Sequence, residues 1–384
     1  MLSCNLNLNK IINWFYLAKN IFVWFFLGFY MNFKMGEFFC GPGGIALGAL
    51  LAGKVRSDAG EEFSISPSFA TDYDQDTCRT YARNIHKESL ECSEHVIHKD
   101  IREIDINSLP SVDGFAFGFP CNDFSIVGES KGLNGKFGPL FTYGVKYLRL
   151  KKPMWFVAEN VGGLSSSNEG KAFELIKSEL AASGYKLVSN LYKFEKYGVP
   201  QSRHRIIIVG IRNDLDVSFK VPLPTHINKY VSAQDALTSP MIPHDAFNNE
   251  FTRQAGLVVE RLKYIKPGKN AWSDEIPEHL RLNVKGAKLS NIYRRLHPDE
   301  PSYTVTGSGG GGTHMYHWEE DRALTNRERA RLQTFPDYYI FEGSKESVRK
   351  QIGMAVPPKG MSIIFKALLN SFAKNEYDFV EPNM

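Results

Sequence analysis

From Met35 onward the sequence alternates short apolar runs with helical stretches, and this alternation constrains the fold more than any other feature. Runs 112–117, 155–158 and 206–209 are almost continuously apolar, the pattern of strands buried on both faces. Such strands, separated by helices, predict an α/β fold with a mostly parallel sheet covered on both sides. In open sheets of this kind, ligands and reactive side chains gather outside the carboxyl ends of the strands. The residues that follow each apolar run are therefore the first place to look for chemistry.

Run 112–117 is followed by Gly118-Phe119-Pro120-Cys121-Asn122-Asp123-Phe124-Ser125. Pro120 fixes the backbone ahead of Cys121, so the thiol is presented from a rigid elbow. A thiol there can serve as a nucleophile if its pocket is electropositive; the alternative is a half-buried structural cysteine. Loop 122–138 carries glycines at 128, 132, 135 and 138 and has the look of a flap able to close over a substrate, although by itself an ordinary surface loop is the plainer reading; Leu140-Phe141 then resumes a helix. The first strand, 36–40, enters the tight turn Gly41-Pro42-Gly43-Gly44, which opens a helix over 45–52 and lets a ligand approach the backbone. A second strand delivers Asp72-Tyr73-Asp74: Asp72 is placed for ribose hydroxyls, Tyr73 for a purine face, and Asp74 for capping a helix over 75–84. Asp100-Ile101 falls where a third strand would end, another candidate for the nucleoside rim.

Run 155–158 ends in Glu159-Asn160-Val161, a carboxylate in the same row as Cys121 and suited to a general acid or hydrogen-bond donor. Ser166 and Glu169 form a capping box for a structural helix with Phe173, Ile176 and Leu180 on its apolar stripe. Gln201-Ser202-Arg203-His204-Arg205 leads into run 206–209, and alternation places Arg203 and Arg205 on one face, within reach of the Cys121 pocket.

With 384 residues, 43% of them hydrophobic, the chain can bury a sizeable core and is expected to form two unequal lobes. The five cysteines are scattered without a CxxC pair, which argues against a disulfide framework or a cysteine zinc site and for a reducing cytoplasm. A net charge of +4 neither demands nor excludes a nucleic-acid partner. Locally, nine Lys/Arg face four acids between Glu260 and Arg295, with Tyr264, Trp272 and Tyr293 interleaved, which predicts a phosphate-facing surface. The division expected is 1–34 as an apolar extension, 35–212 as a catalytic and cofactor-binding domain, 213–321 as a recognition domain, and 322–384 as a segment returning to the catalytic domain. Thr325 and Glu328 cap a helix to about Thr334, and a last helix spans 359–372. The apolar stretch 11–30 has the length of a membrane span, but Met31 and Met35 follow it directly; an over-long start, with translation beginning at one of these methionines, is the reading preferred, and a membrane anchor or a helix packed on the core are the alternatives.

In combination these residues resemble the cytosine-C5 DNA methyltransferase family of bacterial restriction–modification type, over about 37–369. Phe38-Phe39-Cys40-Gly41-Pro42-Gly43-Gly44 is similar to its methyl-donor turn, Phe119-Pro120-Cys121 to its nucleophile motif, Glu159-Asn160-Val161 to its Glu-Asn-Val, and Gln201-x-Arg203-x-Arg205 to its Gln-x-Arg-x-Arg. The stretches from Arg322 to Pro336 and from Gly353 to Pro358 resemble its two closing motifs. The departures are Asn122 for Gln, Glu37 for Asp and Met354 for Asn.

The resemblance implies a Rossmann-like S-adenosylmethionine-dependent methyltransferase sheet with a smaller target-recognition domain. It implies that Cys121 attacks C6 of a flipped-out cytosine, that Glu159 holds the N3 and N4 edge, and that Arg205, supported by Arg203, binds the O2 side. Phe39, Gly41, Gly43, Gly44, Asp72, Tyr73, Asp100, Ile101, Pro120, Leu140 and Ala355 are the implied cofactor contacts, and Asn122, Ser125, Gln201, Thr304 and Thr306 the implied DNA contacts. The implied partner is double-stranded DNA, with a companion restriction endonuclease acting separately; the protein is expected to be a cytoplasmic monomer that uses no metal and no membrane. A tRNA cytosine-5 methyltransferase and a catalytically inactive DNA-binding homologue are the alternatives; intact Cys121, Glu159 and Arg205 argue against the latter.

Overall fold

A computed structural model describes residues 30–119, 140–163, 170–283, 289–307 and 311–384. The central sheet is built from β1 (Tyr30–Phe38), β2 (Val55–Arg56), β3 (Glu62–Asp72), β4 (Val96–His98), β5 (Gly114–Gly118), β6 (Trp155–Val161), β7 (Tyr185–Lys193) and β9 (His204–Arg212). Its order is β2-β3-β1-β5-β6-β9-β7, with β4 also paired to β3. Strands β4, β3, β1, β5 and β6 run parallel, and β9 lies antiparallel between β6 and β7, so that β7 runs in the same direction as β6. The sheet is mostly parallel, as the sequence pattern predicts, with β9 the antiparallel exception among its long strands. The cause is local: β7 turns straight into β9 through the short segment 194–203, too short for a helical crossover.

Side chains alternate across this sheet with the period of two that a strand imposes. Ala116, Trp155, Val157, Ile207, Val209 and Ile211 face one core, and Phe115, Phe117, Phe156, Ala158, Ile206 and Ile208 face the other. The first core is closed by α1 (Gly44–Ala52), α2 (Gln75–Tyr81) and the late helix α9 (Pro358–Phe372). The second is closed by α3 (Phe141–Lys151) and α4 (Lys171–Ala181), which buries the expected stripe Phe173, Ile176 and Leu180. Residues 166 and 169, expected to cap α4, lie outside the described residues, and the N-cap position is Gly170.

The first strand starts at Tyr30, earlier than the apolar pattern suggests. Its polar residues carry specific bonds: Asn32 Oδ1 accepts from the hydroxyls of Ser64 and Ser66, and Lys34 N–H donates to Asp113. Phe33 is fully buried and packs on Phe63, Trp155 and Phe372. A chain beginning at Met35 would lack this anchor, and Tyr30, counted in the sequence as the end of an apolar span, belongs to the sheet. The rest of that span lies outside the described residues.

Beyond β9, β10 (Val221–Pro222) pairs with β12 (Phe379–Val380), and two short helices, α5 (Ala233–Thr238) and α6 (Gly256–Leu262), are the main regular elements before β11 (Ser302–Tyr303). Strand β11 pairs in parallel with β8 (Gln201–Ser202), zipping this region back onto the sheet domain. The closing segment adds α7 (Asn326–Leu332), with the expected Thr325–Glu328 capping box, and α8 (Lys345–Met354) ahead of α9. A third core joins Ala233, Leu237, Leu296, Val305 and Met315 to Leu324, Phe335, Tyr339 and Ile352. Among the described residues a fourth, small core is formed by Leu262, Ile265, Ala271, Ile276, Leu280, Tyr293, Tyr316 and Ala323.

Part of the basic segment 260–295 turns inward, while Lys285 and Lys288 of the expected surface lie outside the described residues. Arg261 and Arg295 are buried; Arg261 donates to Leu280 O, and Arg295 to the carbonyls of Leu262, His317 and Glu320 and to Asp321. Arg281 donates to the carbonyls of Asp274 and Ile276, while Lys263 and Lys266 pair with Glu260 and Glu275. Tyr264, Trp272 and Tyr293 pack in the small core instead of standing out between the cations. A region with so little regular structure leaves many carbonyls without backbone partners, and these arginines supply the missing donors.

Candidate active site

At the carboxyl edge of β5 and β6 the chain sets a carboxylate against a guanidinium. Residue Gly118 pairs with Glu159, and across the antiparallel seam Glu159 pairs with Ile207 and Val161 with Arg205. Residues 205 and 207 share a face, so this register points Arg205 at Glu159. Arg205 Nε lies 2.8 Å from Glu159 Oε1, and both side chains are largely buried. Burial pushes the Glu159 carboxyl above its ordinary value, against the lowering effect of Arg205 and then Arg203. Gly118 keeps the space above open: a Cβ there would come within 3.1 Å of Glu159 Oε2.

Asn160 holds the approach to the proposed nucleophile. Its Nδ2 donates to Phe119 O at 2.9 Å, and its Oδ1 accepts from Val161 N–H at 2.8 Å. The backbone is thus tied to β6 one residue before Pro120-Cys121. Pro120, Cys121, Asn122, Ser125 and the flap read over 122–138 lie outside the described residues. Among the described cysteines, burial pushes the Cys40 and Cys78 thiols up, toward the inert neutral form, and Cys92 is exposed.

On the neighbouring strand tips the glycine turn and Asp72 form one unit. Gly41 N–H donates to Asp72 Oδ2 and Asp74 N–H to Asp72 Oδ1. Burial raises the Asp72 carboxyl above its usual range while these N–H donors oppose it. Gly41 has a φ of +55° and no heavy atom near the position of a Cβ, so the turn is open to a ligand on that side. Phe39, half-buried, also adopts a positive φ of 54°, a strained conformation for an aromatic residue at the lip of the turn. Gly44 begins α1 tight against Val356 O. Tyr73 is 61% exposed, leaving a free aromatic face, and Lys350 from α8 lies 5.9 Å from its ring and 3.6 Å from Asp74. Asp74 caps α2 as expected. Ile101 is buried, and Asp100 is held below the usual carboxylate range by its hydrogen bonds with Arg102, which an adenine contact would have to share. Leu140 takes the N-cap position of α3 at the margin of the second core. This set of an anchored carboxylate, an open glycine turn and exposed aromatic surface fits a nucleoside bearing an amino-acid tail.

Beneath the turn sits Glu37, fully buried. Tyr81 Oη donates to its Oε2 at 3.1 Å, its Oε1 has no partner, and burial raises its carboxyl well above the ordinary value.

Gln201 and Arg203 occupy a different place from the one their motif suggests. Gln201 is fully buried; its amide donates to Leu332 O and Gln333 Oε1 and accepts from Val305 N–H. Any effect on DNA therefore passes through the segment it holds. Arg203, 1% exposed, donates to Val305 O, Gly353 O and Ala355 O. Together they grip both backbone groups of Val305 and the turn that carries buried Ala355, while Met354 remains 63% exposed. Thr304 donates its hydroxyl to Ser202 O, and Thr306 is exposed on the far side of Val305. Gln333, which the sequence reading passed over, completes the clamp by donating to Ile352 O and Ala355 O. Its place inside the long motif from Arg322 to Pro336 was the available signal.

A family model for C-5 cytosine-specific DNA methylase matches residues 33–370. The chain is 60% identical over 354 residues to the type II methyltransferase M.BbvI of Brevibacillus brevis, covering 90% of this chain and 93% of that one. It is 39% identical to the type II methyltransferase M.NgoFVII of Neisseria gonorrhoeae, covering 89% and 88%. Among solved structures, a DNMT2 mutant of Spodoptera frugiperda superposes with a TM-score of 0.60 at 17% identity, covering 87% of this chain and 99% of that one, a likeness of fold. With a family match over most of its length and a relative 60% identical, the chain belongs to the C-5 cytosine-specific DNA methylases, the DNA (cytosine-5-)-methyltransferases.

Proposed function

We propose that this enzyme is the modification methyltransferase of a type II restriction–modification system, methylating C5 of a cytosine flipped out of duplex DNA. The observation that carries the reading is the Glu159–Arg205 pair, which β5, β6 and β9 hold beside the strand end leading to Cys121. Cytosine C5 is a poor nucleophile and must be activated. The Cys121 thiolate adds to C6 while Glu159, whose carboxyl burial raises, donates a proton to N3, so the electron pair displaced from the C5–C6 bond makes C5 enamine-like. Arg205 neutralises charge on the O2 side and on the thiolate, and Arg203 supports it from behind through the clamp. S-Adenosylmethionine supplies the methyl group when bound; Asp72 would hold its ribose hydroxyls, Tyr73 and Phe39 its adenine, and Gly41 and Gly43 would admit the amino-acid end. Loss of the C5 proton then expels Cys121 and regenerates the thiolate. Extruding the base costs roughly a few kcal/mol, which contacts of the recognition lobe offset. We propose that this lobe lies within 213–321, with Thr304 and Thr306 on its DNA side, that the enzyme acts as a cytoplasmic monomer, and that a separate endonuclease cuts unmethylated sites.

The test is to express the chain in a bacterium free of DNA methylation and to bisulfite-sequence its genome. Protected cytosines within one short recurring motif are the expected result, abolished by Cys121→Ser. Complete conversion with soluble protein present would overturn the DNA reading and direct the search to the host tRNA.

A further inference from the structure

The closing segment reaches the glycine turn through the hydroxyl of Tyr339. This residue is fully buried, and its Oη donates to Pro42 O in the buried middle of the Gly41-Pro42-Gly43-Gly44 turn. The same oxygen lies close under the next residue: a Cβ on Gly43 would sit 2.7 Å from it, with Ile85 Cγ1 at 3.1 Å and Tyr81 Cδ2 at 3.2 Å. Within the turn, Gly43 N–H donates to Cys40 O, and Gly41 and Gly43 take positive φ values of 55° and 89°. Two glycines give a turn many accessible conformations, so a bond to the residue between them selects one. Burial pushes the Tyr339 phenol well above its ordinary value, which keeps the hydroxyl a donor at neutral pH.

A hydroxyl can fix a turn only if its own backbone is fixed. Tyr339 stands on a stretch without regular secondary structure, yet every backbone polar group of residues 339–341 is paired. Tyr339 N–H donates to Pro336 O, and Tyr339 O accepts from Arg327 Nη2 at 2.6 Å. Asn84 spans the next residue, donating to Ile340 O at 2.7 Å and accepting from Ile340 N–H at 2.9 Å. Asn248 does the same for Phe341, with both bonds at 3.0 Å. Arg327 in turn donates to Phe247 O and Asn248 O, so side chains from three distant parts of the chain form one mount. The Tyr339 ring packs against Phe335 and Phe341, with centroids 4.9 and 5.4 Å away. A phenylalanine would fill the same space; what the hydroxyl adds is a donor for a buried carbonyl.

We propose that Tyr339 is a positioning residue for methyl-donor binding: from its fixed mount, its hydroxyl holds Pro42 O and so sets the Gly41–Gly43 turn in the shape that admits the amino-acid end of S-adenosylmethionine. The inference rests on the cofactor reading above. A turn already held in its binding shape loses less freedom when the ligand arrives, and the gain appears as affinity for the part of the ligand that the turn contacts.

The test compares the full chain with its Tyr339→Phe variant by titration calorimetry against two ligands. One is S-adenosylmethionine; the other is methylthioadenosine, which keeps the nucleoside and lacks the amino-acid tail. The variant should bind S-adenosylmethionine roughly 10-fold more weakly and methylthioadenosine within about 2-fold of wild type, with affinity for duplex DNA unchanged. Without ligand, hydrogen exchange should quicken at 40–46 and stay as in wild type at β5. Unchanged affinity for S-adenosylmethionine, or an equal loss for both ligands, would overturn the proposal. So would a variant that does not fold, because the hydroxyl would then serve the whole closing segment and not the turn. A wild-type chain that binds neither ligand would overturn this inference together with the cofactor reading, whereas a wild type that binds both and a variant that loses neither overturns this inference alone.

Discussion

Glu159 and Glu37 are both buried carboxyls at strand ends, yet their surroundings give them opposite uses. Glu159 has Arg205 at 2.8 Å and opens toward the Gly118 side, so it can hold a proton and present it. Activity should therefore fall as pH rises through its raised pKa, because the protonated form is the donor. Glu159→Gln should lower kcat by about 10²- to 10⁴-fold and remove that alkaline fall, which a pH profile of kcat/KM would show. Among the described residues Glu37 has no cation beside it and one unpartnered oxygen, so it is a liability to the fold. Between its ordinary pKa near that of a free carboxyl and its raised folded value, the native state holds one proton more than the unfolded chain. Stability must then fall with rising pH across that window. Glu37→Gln, neutral throughout, should melt a few degrees higher than wild type at pH 8 and equally at pH 4, measured by thermal denaturation.

At the scale of elements, the informative feature is the clamp at the start of β9. Arg203 and Gln201 meet Val305, Gly353, Ala355 and Gln333, partners more than a hundred residues away in sequence. The sequence shows that two arginines alternate ahead of an apolar strand, but not that one turns inward, because that depends on which distant carbonyls are left over. Arg205, whose partner Glu159 lies on the neighbouring strand, was legible from the row of strand tips; Gln201 and Arg203 were not. Arg203→Met would take the guanidinium donor from the carbonyls of Val305 and Gly353, leave Ala355 O to Gln333 alone, and loosen the seam between β8 and β11. The expected loss is about 3 kcal/mol or more in chemical denaturation. Gln201→Glu, which sets a buried carboxylate against the Leu332 and Gln333 oxygens its amide served, should impair DNA binding more than cofactor binding, since it disturbs the segment packed on Val305 and not the glycine turn.

For the whole molecule, legibility follows the depth of burial. Runs 112–117 and 155–158 announced themselves because strands covered on both faces have no room for polar residues, and the chemistry lies where those runs stop. The start of β1 was obscured by Asn32 and Lys34, whose partners Ser64, Ser66 and Asp113 belong to other segments. The basic stretch 260–295 misled for a related reason: a count of charges does not say which of them substitute for missing backbone donors. Arg261, Arg281 and Arg295 do so here, and the aromatic residues between them form the small fourth core. That core has no sheet beneath it and is held largely by arginine-to-carbonyl bonds, so it should open more readily than the doubly covered strands. Hydrogen exchange on the free enzyme should accordingly show the amides of 262–280 exchanging through a lower-energy opening than those of β5, β6 and β9. If this lobe contributes to reading duplex DNA, adding a methylatable duplex should slow exchange at 262–280 and leave the central strands almost unchanged. Equal protection of lobe and sheet in the free enzyme would show instead that the small core is locked to the third core, and that the two lobes unfold as one.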